Sequence, residues 1–248
     1  MPYETFHRFY DRAMRDYSWC SEFLNFAGAH IGNDVRSVLE LACGTGRILE
    51  MFSGEGVALH GLDISPGMLS QARIRLPEAV LHRMSMVGFS LEEKFDLIIC
   101  LFDSINHVRT FSEWESVFSA AQHHLLPGGT FLLDFNTSER LQRLAILPPF
   151  ISRYYPEGMM IMDVEELCDR EFAFHVELFE AEEPDLFRRH RVEIREYTFP
   201  VESVIRALER RFDAVTVVQE DMETVNDTDA LQLARNGRIY CICSVAGG

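Results

Sequence analysis

The residues best suited to chemistry in this sequence surround a short glycine-containing turn. The stretch reads Val38-Leu39-Glu40-Leu41-Ala42-Cys43-Gly44-Thr45-Gly46. The residues from Val38 to Leu41 predict a buried strand, and those from Arg47 to Phe52 predict a helix. Gly44 and Gly46 carry no Cβ atom, so the backbone can bend sharply there and a bound molecule can come close. Free N–H groups at the helix start would face that molecule, at the carboxyl end of the strand.

A second polar group, the carboxylate of Asp63, ends the next predicted strand, Ala58 to Leu62, and follows Gly46 by 17 residues. A carboxylate at that place can accept hydrogen bonds from both hydroxyls of a ribose. A helix N-cap is the alternative role, but Ser65 followed by Pro66 already supplies a cap. The two motifs together therefore predict a ligand that contains a nucleoside.

The glycine spacing discriminates between two such ligands. A dinucleotide-binding turn follows G-x-G-x-x-G, and Leu49 stands where its third glycine would be. This bulky residue disfavours a pyrophosphate site, and with it a nucleotide-dependent oxidoreductase. The turn instead resembles the first motif of class I S-adenosylmethionine-dependent methyltransferases, an acidic residue followed by small-x-Gly-x-Gly, with Ala42 where that family more often has glycine.

This resemblance implies roles for the residues around the turn. Glu40 would bind the ammonium group of S-adenosylmethionine or orient the glycine turn through backbone N–H groups. Asp63 would bind the ribose, and Ile64 would pack on the adenine or simply on the core. Ser85 stands where the family has an aspartate, so adenine recognition would rest on Ser85, Met86 and backbone groups. The expected cofactor-binding residues are Tyr10, Glu40, Ala42, Gly44, Thr45, Gly46, Asp63, Ile64, Met68, Ser85, Met86, Leu101 and Phe102.

Polar side chains also follow the fourth predicted strand, Phe95 to Leu101. The stretch from Phe102 to Asn106 resembles a subgroup of these enzymes that acts on small molecules, including sugar-amine N-methyltransferases. In that family this strand end faces the transferred methyl group, which places Asp103, Asn106 and His107 beside the acceptor. Asp103 and His107 are the predicted catalytic residues, since His107 could remove a proton at neutral pH. Helix capping or a surface position explains His107 equally well. Asp134, ending the fifth predicted strand, would join the same rim or lie in a turn.

Methyl transfer from a sulfonium ion requires little dedicated machinery. The donor and the acceptor must be held in line, water must be excluded, and the nucleophile must be unprotonated. No single catalytic motif is therefore demanded. The leading hypothesis is a methyltransferase that acts on a small-molecule acceptor, and the alternative is a non-catalytic S-adenosylmethionine-binding or regulatory protein.

Alternating strands and helices must position these residues. Besides the elements already named, the pattern predicts helices Pro66 to Arg75 and Phe111 to His124, strands Val80 to Arg83 and Thr130 to Phe135, and a turn Leu126-Pro127-Gly128-Gly129. This alternation predicts an α/β fold, a Rossmann-like seven-stranded methyltransferase sheet with helices on both faces. Helix Pro200 to Arg211 and strands Ala214 to Val218 and Arg238 to Val245 fit its closing antiparallel hairpin.

Three β-rich segments interrupt this pattern: Met159 to Leu167, Phe172 to Glu180, and Leu186 to Thr198. Alternating residues over 191–195 predict one packed and one solvated face. We expect a cofactor-binding domain of residues 1–148 and 199–248, with an inserted antiparallel β subdomain, 149–198, that covers the acceptor site.

Aromatic and apolar residues at helical spacing predict one or two helices between Tyr3 and Ala29. These helices would cover the sheet or act as a lid. Tyr10 and Asp11 resemble a segment of small-molecule methyltransferases in which a tyrosine helps close the site.

Composition narrows the partners and the compartment. The 248 residues are 47% apolar and 25% charged, as in ordinary globular proteins, and the net charge of −16 disfavours nucleic acid as a partner. Six scattered cysteines show no metal-ligand spacing, so we expect no metal and reduced thiols in the cytoplasm. Neither a secretory signal nor an apolar stretch of about 20 residues is present, so no membrane is expected. A homodimer is one option that the sequence leaves open.

Overall fold

The computed structural model describes residues 3–14, 18–31, 34–153, 158–183, 186–219, 222 and 237–247. Its centre is a seven-stranded sheet made of β1 (Ser37–Leu41), β2 (Ala58–Asp63), β3 (Val80–Arg83), β4 (Phe95–Cys100), β5 (Leu125–Asn136), β10 (Ala214–Val218) and β11 (Arg238–Ser244). The strand order is β10-β11-β5-β4-β1-β2-β3. The first five strands pair in parallel, and β11 pairs antiparallel with β5 and β10. The predicted Rossmann-like sheet is confirmed.

The order of the strands creates a crevice at the centre of this sheet. From β1 the chain moves outward through β2 and β3, then returns to place β4 on the other side of β1. The connections after β1 and β4 therefore leave in opposite directions. In open α/β sheets, ligands bind outside the carboxyl ends of strands at such a point.

Apolar residues on each face of the sheet pack against helices. The helices that cover the two faces are α3 (Ser18–Ala27), α4 (Pro66–Arg75), α5 (Phe111–His123) and α7 (Val201–Glu209). Leu39 and Leu41 of β1 point to one face, in a cluster with Trp114 of α5 and Leu208 of α7. Val38 points to the opposite face and belongs to a cluster with residues of α3. Alternation along each buried strand thus supplies both apolar faces.

Two local predictions about this sheet are wrong. The predicted helix from Arg47 to Phe52 is only a 3₁₀ turn, Leu49–Phe52, because the glycine-rich stretch 53–56 follows at once and Gly56 has a φ of +79°. The predicted turn at 126–129 lies inside β5. There the register against β4 shifts and Gly128 has a φ of +80°, so the strand absorbs the irregularity as a bulge.

A second sheet contains four antiparallel strands in the order β6-β7-β8-β9. They are β6 (Phe150–Arg153), β7 (Gly158–Cys168), β8 (Glu171–Glu183) and β9 (Leu186–Tyr197). The three long strands match the predicted β-rich segments. The sequence pattern did not predict β6 or helix α6 (Ser138–Ala145), because four and eight residues are too few for a clear periodicity.

The N-terminal segment packs against this second sheet. It forms α1 (Tyr3–Phe6) and α2 (Tyr10–Ala13), which with α3 makes three helices where one or two were predicted. Phe6, Phe9 and Ala13 share an apolar cluster with α6 and with the inner face of the second sheet. All six cysteines are free thiols. Within the described ranges, no helix has both the length and the apolar character needed to cross a membrane.

Candidate active site

A cavity of about 740 Å³ lies at the carboxyl ends of the central strands. Its walls come from the glycine turn, the ends of β2 and β4, helices α1, α2 and α6, and the inner face of the second sheet. A smaller cavity of about 40 Å³ adjoins it beside Glu40, Thr45 and Arg47. The two share Tyr10 and Phe102, so they are parts of one site. Together they have the size of a binding site for a small ligand.

The glycine turn leaves room for a ligand at one position. Gly44 has a φ of +52°, and a Cβ atom added there would meet nothing within 4 Å. Gly46 has a different role, because its Cβ would lie 3.2 Å from Leu76 Cδ1 and 3.3 Å from Ala72 Cβ. Gly46 therefore allows the turn to pack on α4, and its contact with the cofactor stays a prediction.

Asp63 connects the turn to the second strand. One carboxylate oxygen accepts the N–H of Gly44 at 2.9 Å, and the other accepts that of Ser65 at 2.7 Å. Each oxygen has a second lone pair, so Asp63 can still accept ribose hydroxyls in the cavity that it lines. Burial raises the pKa of Asp63, although the hydrogen bonds from these N–H groups lower it. Ser65 Oγ accepts the N–H of Met68 at 3.2 Å, which confirms that Ser65 caps α4.

Glu40 is buried at the end of β1, with 3% of its surface exposed. Its Oε2 accepts the N–H of Leu49 at 3.0 Å, so the side chain orients the backbone that follows the turn. Burial raises the pKa of Glu40 well above its ordinary value. Glu40 also lines the smaller cavity, and its contact with a ligand ammonium stays a prediction.

The predicted adenine side is an apolar slot. Met68 and Met86 are buried in its wall, and Ile64 is 49% exposed. Ser85 lines the slot and accepts the N–H of Val87 at 3.0 Å. Apart from Gly46, every predicted cofactor residue lines one of the two cavities: Tyr10, Glu40, Ala42, Gly44, Thr45, Asp63, Ile64, Met68, Ser85, Met86, Leu101 and Phe102.

The chain after β4 is held in an unusual conformation. Phe102 and Asp103 have φ values of +63° and +51°, in the left-handed region that side chains disfavour. The carboxylate of Asp134 accepts both of their N–H groups, at 3.1 and 2.6 Å. Asp134 is fully buried within β5 and lies in no turn, so that alternative is wrong.

Arg238 links the two aspartates from the start of β11. Its guanidinium donates to Asp103 Oδ1 at 2.6 Å and to Asp134 Oδ2 at 2.9 Å, with 8% of the residue exposed. Burial opposes ionisation of Asp103, but Arg238 lowers the pKa of Asp103 below its ordinary value. Burial raises the pKa of Asp134 to about 6, although Arg238 acts in the opposite direction. Arg238 was not predicted from the sequence, because its only distinguishing feature there is a basic side chain at the start of an apolar strand.

Glu196 brings a further carboxyl group from β9 of the second sheet. It is 2% exposed, lines the large cavity and is hydrogen-bonded to Asp103. Asn136 Nδ2 donates to Glu196 Oε2 at 2.9 Å. Burial, followed by the charge of Asp103, raises the pKa of Glu196 well above its ordinary value. The strand alternation could have found this residue, since Val192, Ile194 and Glu196 share the inward face.

His107 ends a 3₁₀ turn after β4 and lines the cavity. Its Nδ1 lies 3.1 Å from the carbonyl of Arg195, which can only accept, so Nδ1 donates. In the neutral imidazole, Nε2 then accepts the hydroxyl of Tyr3 at 3.1 Å. Asn106, predicted to lie beside the acceptor, lines neither of the two cavities. It is fully buried and bonds the backbone of Asn136 and Tyr197, joining the two sheets.

Contacts of Asp11 hold helix α2 over the site. The Asp11 carboxylate accepts the hydroxyl of Thr45 at 2.6 Å and forms an ion pair with Arg75 of α4. Arg47 donates to the carbonyl of Asp11 at 3.3 Å. Tyr10 and other residues of α1 and α2 line the cavity. The N-terminal helices therefore cover the site as well as the second sheet.

Residues 38–129 match the family model of a methyltransferase domain. A curated relative, dTDP-3-amino-3,4,6-trideoxy-alpha-D-glucopyranose N,N-dimethyltransferase of Streptomyces venezuelae, is 38% identical over 101 residues, 41% of this chain and 43% of the relative. The match thus spans less than half of that relative's length.

Solved structures extend the likeness to nearly the whole chain. An S-adenosylmethionine-dependent methyltransferase from Clostridium acetobutylicum ATCC 824 aligns with a TM-score of 0.78 and 22% identity, covering 99% of both chains. The sugar N-methyltransferase KedS8 from Streptoalloteichus sp ATCC 53650 aligns with a TM-score of 0.74 and 20% identity, covering 97% of this chain and 92% of that one. At these identities the likeness shows a shared fold.

Proposed function

We propose that this chain, in which residues 38–129 match the family model of a methyltransferase domain, transfers the methyl group of S-adenosylmethionine to a nitrogen of a small-molecule amine. One observation carries the proposal. The open glycine turn and Asp63 line the same cavity as the polar residues that follow β4 and those of the second sheet. A cofactor and an acceptor can therefore meet inside one cavity.

The residues present fit the cofactor. Gly44 leaves open space beside the turn, Asp63 keeps free lone pairs for a ribose, and Ile64 and Met86 offer an apolar slot for adenine. Glu40 lies beside the smaller cavity, where it would face the methionine end. When bound, S-adenosylmethionine supplies an electrophilic methyl carbon on a sulfonium centre.

The chain's own contribution is to orient the reactants and exclude water. The bend at Phe102 and Asp103, fixed by Asp134, sets the wall at the end of β4. Helices α1 and α2 also line the cavity, where Tyr3 contacts His107 and Tyr10 lies beside Phe102. We propose that Asp103 and His107, the predicted catalytic residues, act at the acceptor end, where both line the cavity.

An amine is favoured over other acceptors by two findings. The curated relative is by its name an N,N-dimethyltransferase of an amino sugar nucleotide. Asp103 and Glu196 also line the acceptor end of the cavity. Their carboxyl groups suit an acceptor that carries a positive charge when it is protonated, as an amine does. This supports transfer to nitrogen, with the whole acceptor left to be identified.

We also propose a division of the chain into two parts. Residues 149–198 would act as an inserted subdomain on a cofactor-binding domain of residues 1–148 and 199–248. The free thiols are compatible with a cytoplasmic location. Absence of nucleic-acid and membrane partners and a homodimeric state likewise stay predictions.

A labelled-methyl assay tests the proposal. Purified protein is incubated with S-adenosylmethionine labelled at the methyl group and with glucosamine, cyclohexylamine and matching alcohols and carboxylates. We expect label on nitrogen in at least one amine and none on the matching alcohol. Cofactor binding without any transfer would instead support the non-catalytic alternative.

A further inference from the structure

One buried acceptor atom at the end of the cavity has no partner in the described part of the chain. It is Oδ1 of Asn136, a residue that is 3% exposed and lines the cavity. The amide nitrogen of the same side chain donates to Glu196. An unpaired buried acceptor costs free energy, so this place is suited to a ligand that donates hydrogen bonds.

Two carboxyl groups lie at the same place. Glu196 is hydrogen-bonded to Asp103, and both line the cavity beside Asn136. These three side chains come from the second sheet, from the end of β4 and from the end of β5. Together they offer acceptor oxygens and negative charge to one bound group, which is the chemistry that recognises an ammonium ion.

The charged and titratable groups facing this cluster come from every neighbouring element. Tyr3 of α1 and His107 lie on one side, Arg140 of α6 and Arg238 of β11 on another, and Asp134 lies behind. Arg238 is held between Asp103 and Asp134. Tyr3, whose pKa burial raises, stays a neutral phenol. Two arginines and a neutral phenol therefore surround the carboxyl groups of Asp103 and Glu196.

We propose that Glu196, assisted by Asp103 and Asn136, binds the acceptor as an ammonium ion and removes one proton from its nitrogen. The inference rests on the proposed function, of which it specifies the substrate class and the proton acceptor. Asn136 Oδ1 and the two carboxyl groups accept the N–H groups. Asp103, paired with Arg238, keeps its negative charge throughout.

The proton transfer balances as follows. The proton on the Glu196 carboxyl group, whose pKa burial raises, leaves to solvent as the ammonium ion arrives. One N–H bond then breaks, an O–H bond forms on Glu196, and the electron pair stays on nitrogen. That pair forms the new N–C bond to the methyl group donated by S-adenosylmethionine, while the C–S pair goes to sulfur. One proton is released overall per methyl transferred.

Glu196 is better placed for this task than His107. The Nε2 lone pair of His107 already accepts the hydroxyl of Tyr3, and its Nδ1 proton is held by the Arg195 carbonyl. Glu196 combines a pKa raised by burial with a position in the cavity wall. A carboxyl group with a raised pKa is a stronger proton acceptor at neutral pH than an ordinary one.

The test is Glu196→Gln, which keeps the shape and both hydrogen bonds. The amide oxygen can accept from Asn136 and the amide nitrogen can donate to Asp103, but the proton acceptor is lost. The matched control is Glu193→Gln, on the exposed face of the same strand. With the best amine from the glucosamine and cyclohexylamine panel, we expect Glu196→Gln to lower kcat at pH 7 roughly 100-fold. The Kd for S-adenosylmethionine should stay within about twofold of the wild-type value.

The pH profile and a binding measurement separate a proton acceptor from a merely structural residue. The rates of wild type and Glu193→Gln should rise with increasing pH as Glu196 ionises. The rate of Glu196→Gln should not show this rise at the acidic end of the pH profile. Calorimetry of cyclohexylamine binding to the S-adenosylhomocysteine complex, in two buffers of different ionisation enthalpy, should show about one proton released for wild type. For Glu196→Gln we expect almost none.

Two contrary results have different meanings. Amine methylation by the wild-type protein with an unchanged pH profile and proton release in Glu196→Gln would overturn the role of Glu196 and leave the proposed function intact. No methylation of any amine by the wild-type protein would overturn the proposed function itself, and with it the inference.

Discussion

At the scale of single residues, Asp63 is central because its two oxygens accept the N–H groups of Gly44 and Ser65 and the residue also lines the cavity. We predict that Asp63→Ala raises the Kd for S-adenosylmethionine at least roughly tenfold, since ribose hydroxyls lose their acceptor. Titration calorimetry measures this change. Asp96→Ala is the matched control, because Asp96 accepts backbone N–H groups of Arg36 and Ser37 at the opposite end of β1. An unchanged Kd in Asp63→Ala would remove Asp63 from the ribose site.

His107 has a different predicted effect. His107→Ala should lower kcat by roughly tenfold and change cofactor affinity less than threefold, because it removes the contact between Tyr3 and the chain after β4. Its pH–rate profile should keep the wild-type shape, in contrast to that of Glu196→Gln. Steady-state rates over a pH series measure both features. An unaltered kcat would take His107 out of the mechanism.

Some site residues could be predicted from the sequence and others could not, for a physical reason. Gly44 and Asp63 follow from local rules, because a tight turn and a strand end fix what they can do. Arg238 and Glu196 reach the site from distant strands, and only the packing of two sheets brings them to Asp103. Periodicity shows that Glu196 faces inward but not what it will meet.

At the scale of elements, α2 depends on Asp11 for its position over the glycine turn. We predict that Asp11→Ala speeds dissociation of S-adenosylhomocysteine roughly three- to tenfold, because the cover loses a hydroxyl bond and an ion pair to partly exposed partners. Stopped-flow displacement measures this rate. Arg12→Ala, beside Asp11 on the same helix, should leave the rate near that of wild type. Equal rates in all three proteins would mean that α2 is not a cover.

The strands were easier to predict than their connections. β3 and β10 have the predicted bounds because apolar runs between polar residues determine them. The predicted helix after Gly46 was wrong. Its start pattern is visible in the sequence, but the number of residues that the fold leaves for a helix is not. The bulge in β5 was taken for a turn, since Pro127 and the two glycines after it are typical of both.

At the scale of the whole molecule, the buried aspartates make stability depend on pH. The pKa of Asp134 is about 6 in the folded chain, against about 3.9 for an aspartate in an unfolded chain. Between these values the folded state binds more protons, so its stability falls as the pH rises. We predict that the free energy of unfolding of wild type, relative to Asp134→Asn, falls by about 2–3 kcal/mol between pH 4 and pH 7.

Urea unfolding of both proteins over that pH range measures the difference. The comparison cancels the other titrating groups that the two proteins share. Profiles that stay parallel from pH 4 to pH 7 would contradict a protonated Asp134 in the folded state.

The central claim about the whole molecule is that the cavity behind the glycine turn holds S-adenosylmethionine. Titration calorimetry of the purified chain with this compound tests it most directly, with NADH as the comparison ligand. We predict one molecule of S-adenosylmethionine bound per chain, weaker binding in Asp63→Ala, and no heat from NADH. No binding of S-adenosylmethionine at saturating concentration, or equal binding of NADH, would contradict it.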